Sequence, residues 1–282
     1  MTKKDNLLIE TMEMAATDGV KNIPTSEKVQ HKHCAVSTVE IKTDEEQKLL
    51  GKEKGRYVTV EFEKIYKIDE DDFESVVSVV ADILKKYTDR YKNKRILIVG
   101  IGNREITADS IGPKTIDRII VTRGLENTEF VGEGVFGNVS AVCTDVFGNT
   151  GVESAEIIEG IGKTLSPSLI IVVDSLATVK LDRLCKTVQI SDTSLYPGGG
   201  VENDRKAISS RMLGIPVVSI GVPTVIDTSL LVGDSDEKFD SLITIPSQIA
   251  TATDLGAKLI AFSINKAIHY DLTTEDILKF LY

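Results

Sequence analysis

The chain of 282 residues carries 43 acidic against 33 basic side chains, a formal net charge of −10. That sign opposes tight binding to a phosphate backbone, and aromatics at 5% with no tryptophan supply no stacking platform for single-stranded nucleic acid, so no direct nucleic-acid partner is expected. Hydrophobic residues at 41% and charged residues at 27% suit a soluble globular protein with one large domain, with or without an appendage.

Residues 1–30 are polar apart from LLIETMEMAA, which predicts a short helix. Asp5, Glu10 and Glu13 interrupt this N-terminus, so it is not a secretory signal. Nowhere does the chain reach the about 18 consecutive apolar residues of a membrane span. Two alternating stretches, HCAVSTVEIK and RYVTVEFEK, predict strands separated by a charged segment with Gly51 and Gly55. In DDFESVVSVVADILKKY the period changes. Phe73, Val76, Val77, Val80, Ile83 and Leu84 make one helical face, between acids at its N-terminal end and lysines at its C-terminal end.

From residue 95 strands and helices alternate. RILIV (95–99) has the uninterrupted apolar character of a strand buried on both faces, and Ile116, Ile119 and Ile120 then recur at helical spacing behind Pro113. VSAVCT, a helix over VESAEIIEGIGKTL, the buried strand SLIIVVD (168–174), KTVQIS and IPVVSIGVP follow. A long apolar helix over 255–269 and a last one in LTTEDILKFL, capped by Thr273 or Thr274, close the chain. The expectation is an α/β fold, a mostly parallel twisted sheet with helices on both faces and a small N-terminal β-strand extension.

In such a sheet catalytic groups gather at the carboxyl ends of strands. Asp109 lies in the loop after the first buried strand, and Asp174 ends SLIIVVD. An acid closing an apolar run is partly desolvated, which raises its pKa and suits it to proton transfer. Asp109 and Asp174 could share a proton and activate a water. Equally, Asp174 could cap a turn and Asp109 its helix. Gly100 and Gly102 fit the start of a dinucleotide fingerprint, but Glu105 stands at its third glycine and repels pyrophosphate, so no cofactor is expected. FGNTG (147–151), with Gly148, and PGGGVENDRK (197–206), with Gly199, are either plain turns or backbone amides shaping a substrate groove beside Arg205 and Lys206. Asp227 is a third acid at a strand end. No metal is expected, since no HxH or HExxH spacing comes with supporting acids on a rigid element. Cys34, Cys143 and Cys185 read as reduced structural thiols of a cytoplasmic protein, and with no Gly-x-Ser-x-Gly elbow and no histidine in a strand-end loop a serine triad is not expected.

GKEKGRYVTVE (51–61), LIVGIGNREITADSIGPKTIDRIIVTR (97–123), IIVVDSLA (170–177), QISDTSLYPGGGVENDRK (189–206) and LGIPVVSIGVPTVIDT (213–228) together resemble the germination proteases of spore-forming bacteria. These endopeptidases degrade small acid-soluble spore proteins. The resemblance runs from about residue 34 to the C-terminal helix and implies a hydrogenase-maturation-protease-like fold and an atypical aspartic-type peptide hydrolysis. The two proposed catalytic aspartates of the family match Asp109 in ITADSIGP and Asp174 in IIVVDSLA, with Gly102, Asn103, Glu105, Gly148, Gly199, Arg205 and Asp227 as supporting or substrate-binding candidates. It further implies a zymogen, a homo-oligomer (a tetramer), and action in the cytoplasm of the forespore or spore core. Ala108 stands where the family shows proline before the first acid. NLLIETMEMA resembles the sequence around the family's propeptide cut, with Leu7 near the new terminus and six residues before it, so the propeptide is either unusually short or missing from this chain. On this reading residues 1–30 form an N-terminal propeptide or activation region, and 31–282 a single α/β peptidase domain. An inactive or metal-dependent homologue that binds spore protein is the alternative.

Overall fold

The computed structural model describes residues 7–125, 136–197, 206–227, 243–270 and 272–281. Helix α1 (Leu8–Thr17) leads into a meander of β1 (Glu27–Gln30), β2 (Cys34–Ile41) and β3 (Gly55–Phe62), with α2 (Asp44–Leu50) between β2 and β3. This meander is the expected N-terminal extension. Helix α2 occupies the segment that sequence patterning leaves as a charged linker. A capping box fixes it, in which Thr43 accepts from the Glu46 N–H and the Glu46 carboxylate accepts from the Thr43 N–H. Then come α3 (Glu70–Thr88), β4 (Arg95–Ile101), α4 (Ile111–Ile116), β5 (Asn138–Asp145), the single turn α5 (Phe147–Thr150), α6 (Ser154–Leu165), β6 (Leu169–Thr178) and β7 (Thr187–Ser191). The chain finishes with α7 (Ser210–Leu213), β8 (Val217–Asp227), β9 (Ile243–Thr244), α8 (Ile249–Ile268) and α9 (Thr274–Leu281).

The strands form one sheet in the order β1-β2-β3-β7-β8-β6-β4-β5, with β9 paired to β8. Parallel pairing joins β5, β4, β6 and β8, whereas β1, β2, β3, β7 and β9 pair antiparallel. Within the parallel part, β4 and β6 are apolar almost throughout, because helices cover both of their faces. Ile98, Ile171 and Val173 face α3 and α8, while Leu97, Val99, Ile170 and Val172 face α6. Strand β7 alternates instead: Val188 and Ile190 enter the larger core and Gln189 turns to the other face. A third cluster, built from Leu8 and Met12 of α1 with Val39, Ile41, Leu50 and Tyr57, covers β2 and β3.

Several elements end elsewhere than their sequence patterns suggest. Strand β6 runs on to Thr178, so Asp174 lies within it, one residue past the last pairing with β4 (Gly100 opposite Val173). Helix α4 stops at Ile116 although Ile119 is still buried. The buried Asn265 of α8 donates to the Arg118 carbonyl (2.8 Å) and accepts from the Ile120 N–H (3.0 Å), drawing that backbone away from a helical course. Helix α8 begins at Ile249, earlier than its apolar face indicates. At the C-terminus Thr273 is the cap, accepting from the Asp276 N–H at 3.1 Å. Among the described residues no helix is long and apolar enough to cross a membrane.

Candidate active site

On one face of the sheet the helical cover is split. Helix α1 lies over β2 and β3, and α6 lies over β4 and β6. Between them β7, β8 and the end of β6 turn Gln189, Ser191, Ser219, Gly221 and Asp174 into a cavity of roughly 940 Å³. Strand pairing lays out its floor. Asp174 is opposite Gly221 of β8, and Gly221 is opposite Gln189 of β7, so the three stand in one row on the same face.

Asp109 enters from the loop after β4. The chain leaves that strand through Gly102, whose φ of +117° few side chains adopt, and a Cβ there would lie 2.1 Å from the Asp109 carbonyl oxygen. A turn of 3₁₀ helix over Thr107–Asp109 follows. The Asn103 N–H donates to Asp109 Oδ2 at 2.7 Å, and Thr224 Oγ1 donates to the Ala108 carbonyl at 2.7 Å, which ties the loop to β8. Asp174 is 3% exposed, and its Oδ1 accepts from the Ser175 N–H at 2.8 Å. Each carboxylate thus has one oxygen fixed by a backbone N–H, and both line the same cavity.

Of the supporting candidates, Gly102 and Gly148 line the cavity. Asn103 acts through its backbone on Asp109, and its side chain accepts from the Glu105 N–H at 2.9 Å. Glu105 itself is exposed and outside the cavity wall. Asp227 ends β8, its backbone opposite Ile243. Gly199 and Arg205 lie outside the described residues. Lys206 is exposed and pairs with Glu156 at 2.5 Å.

The far wall is what sequence patterning misses. Lys52, buried in the bend between α2 and β3, lines the cavity beside Glu53. The Glu53 carboxylate accepts from Ser194 Oγ at 2.5 Å and from Tyr196 OH at 3.3 Å, clamping the residues after β7 to those before β3. Leu7, at the start of α1, completes the wall, and exposed Ile106, Phe147, Ile243 and Ile245 stand at or beside the mouth. Among the described residues no three His, Cys, Asp or Glu side chains gather as a metal site would require. Burial pushes the Cys34 and Cys185 thiols up to about 11, which keeps them from acting as thiolates at neutral pH.

The model of the germination protease family matches residues 3–239. The germination protease of Clostridium acetobutylicum is 33% identical over 87% of this chain and 88% of its own length. That of Clostridium perfringens is 31% identical over 93% of each chain, and that of Clostridium tetani 29% identical over 100% of each. Among solved structures, a nickel–iron hydrogenase maturation protease from Thermococcus kodakarensis KOD1 aligns at a TM-score of 0.37 with 19% identity, over 65% of this chain and 99% of that one.

Proposed function

The chain belongs to the germination protease family, peptidases with a role in spore germination, and on that premise we propose that it is an endopeptidase of small acid-soluble spore proteins in which Asp109 and Asp174 activate water. The observation that carries this reading is the meeting of the two acids in one cavity, each held by a backbone N–H, in a chain of this family. The cavity is large enough for several residues of an extended peptide, and the apolar side chains at its mouth suit a protein substrate better than a small polar one.

In the proposed reaction the pair holds one proton between its two acids, and a water between them gives its own proton to the ionised one as its oxygen attacks the peptide carbonyl. The C–N bond then breaks as the other acid protonates the departing amine. These two roles belong to the pair rather than to either residue. Backbone N–H groups of the glycine loops, among them the one around Gly148, supply donors for the oxyanion. Residues 1–30 serve as the activation region and the remainder as the peptidase domain, working as a homo-oligomer, a tetramer, in the spore core.

Asp109→Asn and Asp174→Asn each abolish cleavage of purified spore protein, followed by mass spectrometry of the fragments, while the circular dichroism spectrum stays that of the parent. Turnover near the parent rate by either variant removes that acid from the mechanism.

A further inference from the structure

Gln189 is the one carboxamide in the row that runs from β7 across Gly221 to Asp174. Its surroundings are polar, yet their bonds are made without it. Ser191 Oγ and Thr193 Oγ1 are 2.7 Å apart, the Thr193 N–H donates to Ser191 Oγ at 3.1 Å, and Ser219 Oγ donates to the Ser191 carbonyl at 3.3 Å. Gln189 Oε1 is buried with no hydrogen-bond partner among the described residues, although the residue lines the cavity. A buried amide left unpartnered is costly, and cores rarely keep one where an apolar side chain of the same size would pack. Tyr87 OH and Thr187 Oγ1 are likewise buried without a partner among the described residues, but of the three only Gln189 lines the cavity, where an entering group can bond to it.

The spacing says what that is. Two sheet intervals separate Gln189 from Asp174, about 9.5 Å between backbones, and both residues line the cavity. Between them lies Gly221, where a Cβ would meet the Asp174 carbonyl oxygen at 2.4 Å. Gly221 itself carries no side chain, and the one that approaches its place is the apolar Leu176, which also lines the cavity, so nothing polar stands between Gln189 and Asp174 in the row. An extended peptide advances about 3.3 Å per residue. A chain whose scissile bond sits at Asp174 therefore brings a peptide group about three residues away over Gln189.

We propose that Gln189 is a substrate-binding residue whose carboxamide pairs with a backbone peptide group of the substrate, near the scissile bond. The group recognised is the main chain, so this contact fixes the position of the strand in the cavity without selecting a side chain. The inference rests on the peptidase reading, and the experiment separates the two. Gln189→Met keeps the length of the side chain and removes both polar atoms. With purified small acid-soluble spore protein as substrate, its kcat/KM falls about tenfold, the loss of one neutral hydrogen bond, chiefly through a higher KM. Its melting temperature is unchanged or higher, since no internal hydrogen bond is lost. Gln189→Asn withdraws the same carboxamide by one methylene and loses activity to a similar degree. In parallel, fluorescence anisotropy follows binding of labelled spore protein to Asp174→Asn, with and without Gln189→Met, and the double variant binds about tenfold more weakly. If the parent binds spore protein without cutting it while Gln189→Met still weakens binding, the peptidase reading fails and the role of Gln189 stands. Parent-like KM in Gln189→Met together with unchanged affinity in the double variant overturns the proposal.

Discussion

Gly102→Ala tests whether the exit from β4 exists to place Asp109. Two costs follow from the geometry. A φ of +117° is strained for any residue with a Cβ, on the order of 1–3 kcal/mol. The new Cβ would also stand 2.1 Å from the Asp109 carbonyl oxygen, which must retreat by more than an ångström to reach ordinary contact. That oxygen is backbone, so the displacement carries the whole residue and its carboxylate with it. A misplacement of about 1 Å at a reacting group costs on the order of 100-fold in rate. Stability falls by about 2 kcal/mol, a drop of about 4 °C in melting temperature for a domain of this size. Steady-state cleavage of spore protein and thermal unfolding read the two effects separately: kcat falls about 100-fold while KM stays within about threefold. Gly160→Ala is the control, since a Cβ there meets nothing within 4 Å and lies in α6, so it stabilises by about 0.5–1 kcal/mol and leaves kcat alone. A Gly102→Ala enzyme with kcat within twofold of the parent would refute the claim that this turn sets the position of Asp109.

Other consequences can be checked directly. Arg183 is 7% exposed and donates to Glu13 (2.8 and 2.5 Å) and Glu61 (3.1 Å), within 4.0 Å of the fully buried Glu10. Arg183→Met takes the shared cation from beside the buried Glu10, while Glu13 keeps Lys180 and Glu61 keeps Lys28, and destabilises by about 3–5 kcal/mol in urea unfolding; a loss under about 1 kcal/mol would contradict the burial argument. The buried His269 is pushed down to about 4 by desolvation, with Nδ1 accepting from the Gly137 N–H at 3.2 Å and Nε2 donating to the Ile120 carbonyl at 3.0 Å. The unfolded chain binds this proton near pH 6.5 and the folded one only near 4, so the contribution is complete above about 6.5 and lost as pH falls toward 4, about 3 kcal/mol in all. Urea unfolding across that range measures the slope, and a folded-state ring resonance titrating near 6.5 would count against it. Ile171→Ala, in the centre of β6 and fully buried, costs about 2–5 kcal/mol by equilibrium unfolding, and a loss below about 1 kcal/mol would place it outside the tight core.

What the sequence makes legible are the places where one short stretch carries its own signal. RILIV and SLIIVVD are unbroken apolar runs because both faces of β4 and β6 are covered, and the acids that follow them stand out for the same reason. Strand direction is less visible. KTVQIS alternates Val188 and Ile190 with polar residues, the mark of a strand with one face in the core, and this is where the sheet turns antiparallel. Thr43 and Glu46 are a capping-box pair in the sequence, so α2 is readable there once the charged linker is examined for a cap. The far wall has no such local mark. Glu53 meets Ser194 across 141 residues of chain, and Gln189 faces Asp174 only because β8 inserts between β7 and β6. Neither relation exists until the strand order is known.

The strand order also explains why the N-terminal helix matters to chemistry carried elsewhere. Glu10 of α1 accepts from Thr178 Oγ1 and from the Val179 N–H at 3.2 Å, at the end of the strand that carries Asp174. Burial raises the pKa of Glu10, so its carboxyl is retained against a desolvation cost, and the hydrogen bonds from β6 are what oppose that cost. Glu13 is held down to about 2, chiefly by its hydrogen bonds to Arg183, and thereby stays charged at any physiological pH. One acid raised by burial and one held down by its cation therefore fasten the same helix, the first inside the fold and the second at its edge. Leu7, 2% exposed, then closes the cavity wall from the first residue before that helix. Loss of the segment from Leu7 to Glu13 removes Leu7 from the cavity wall, the anchor on β6 and two of the carboxylates around Arg183 together.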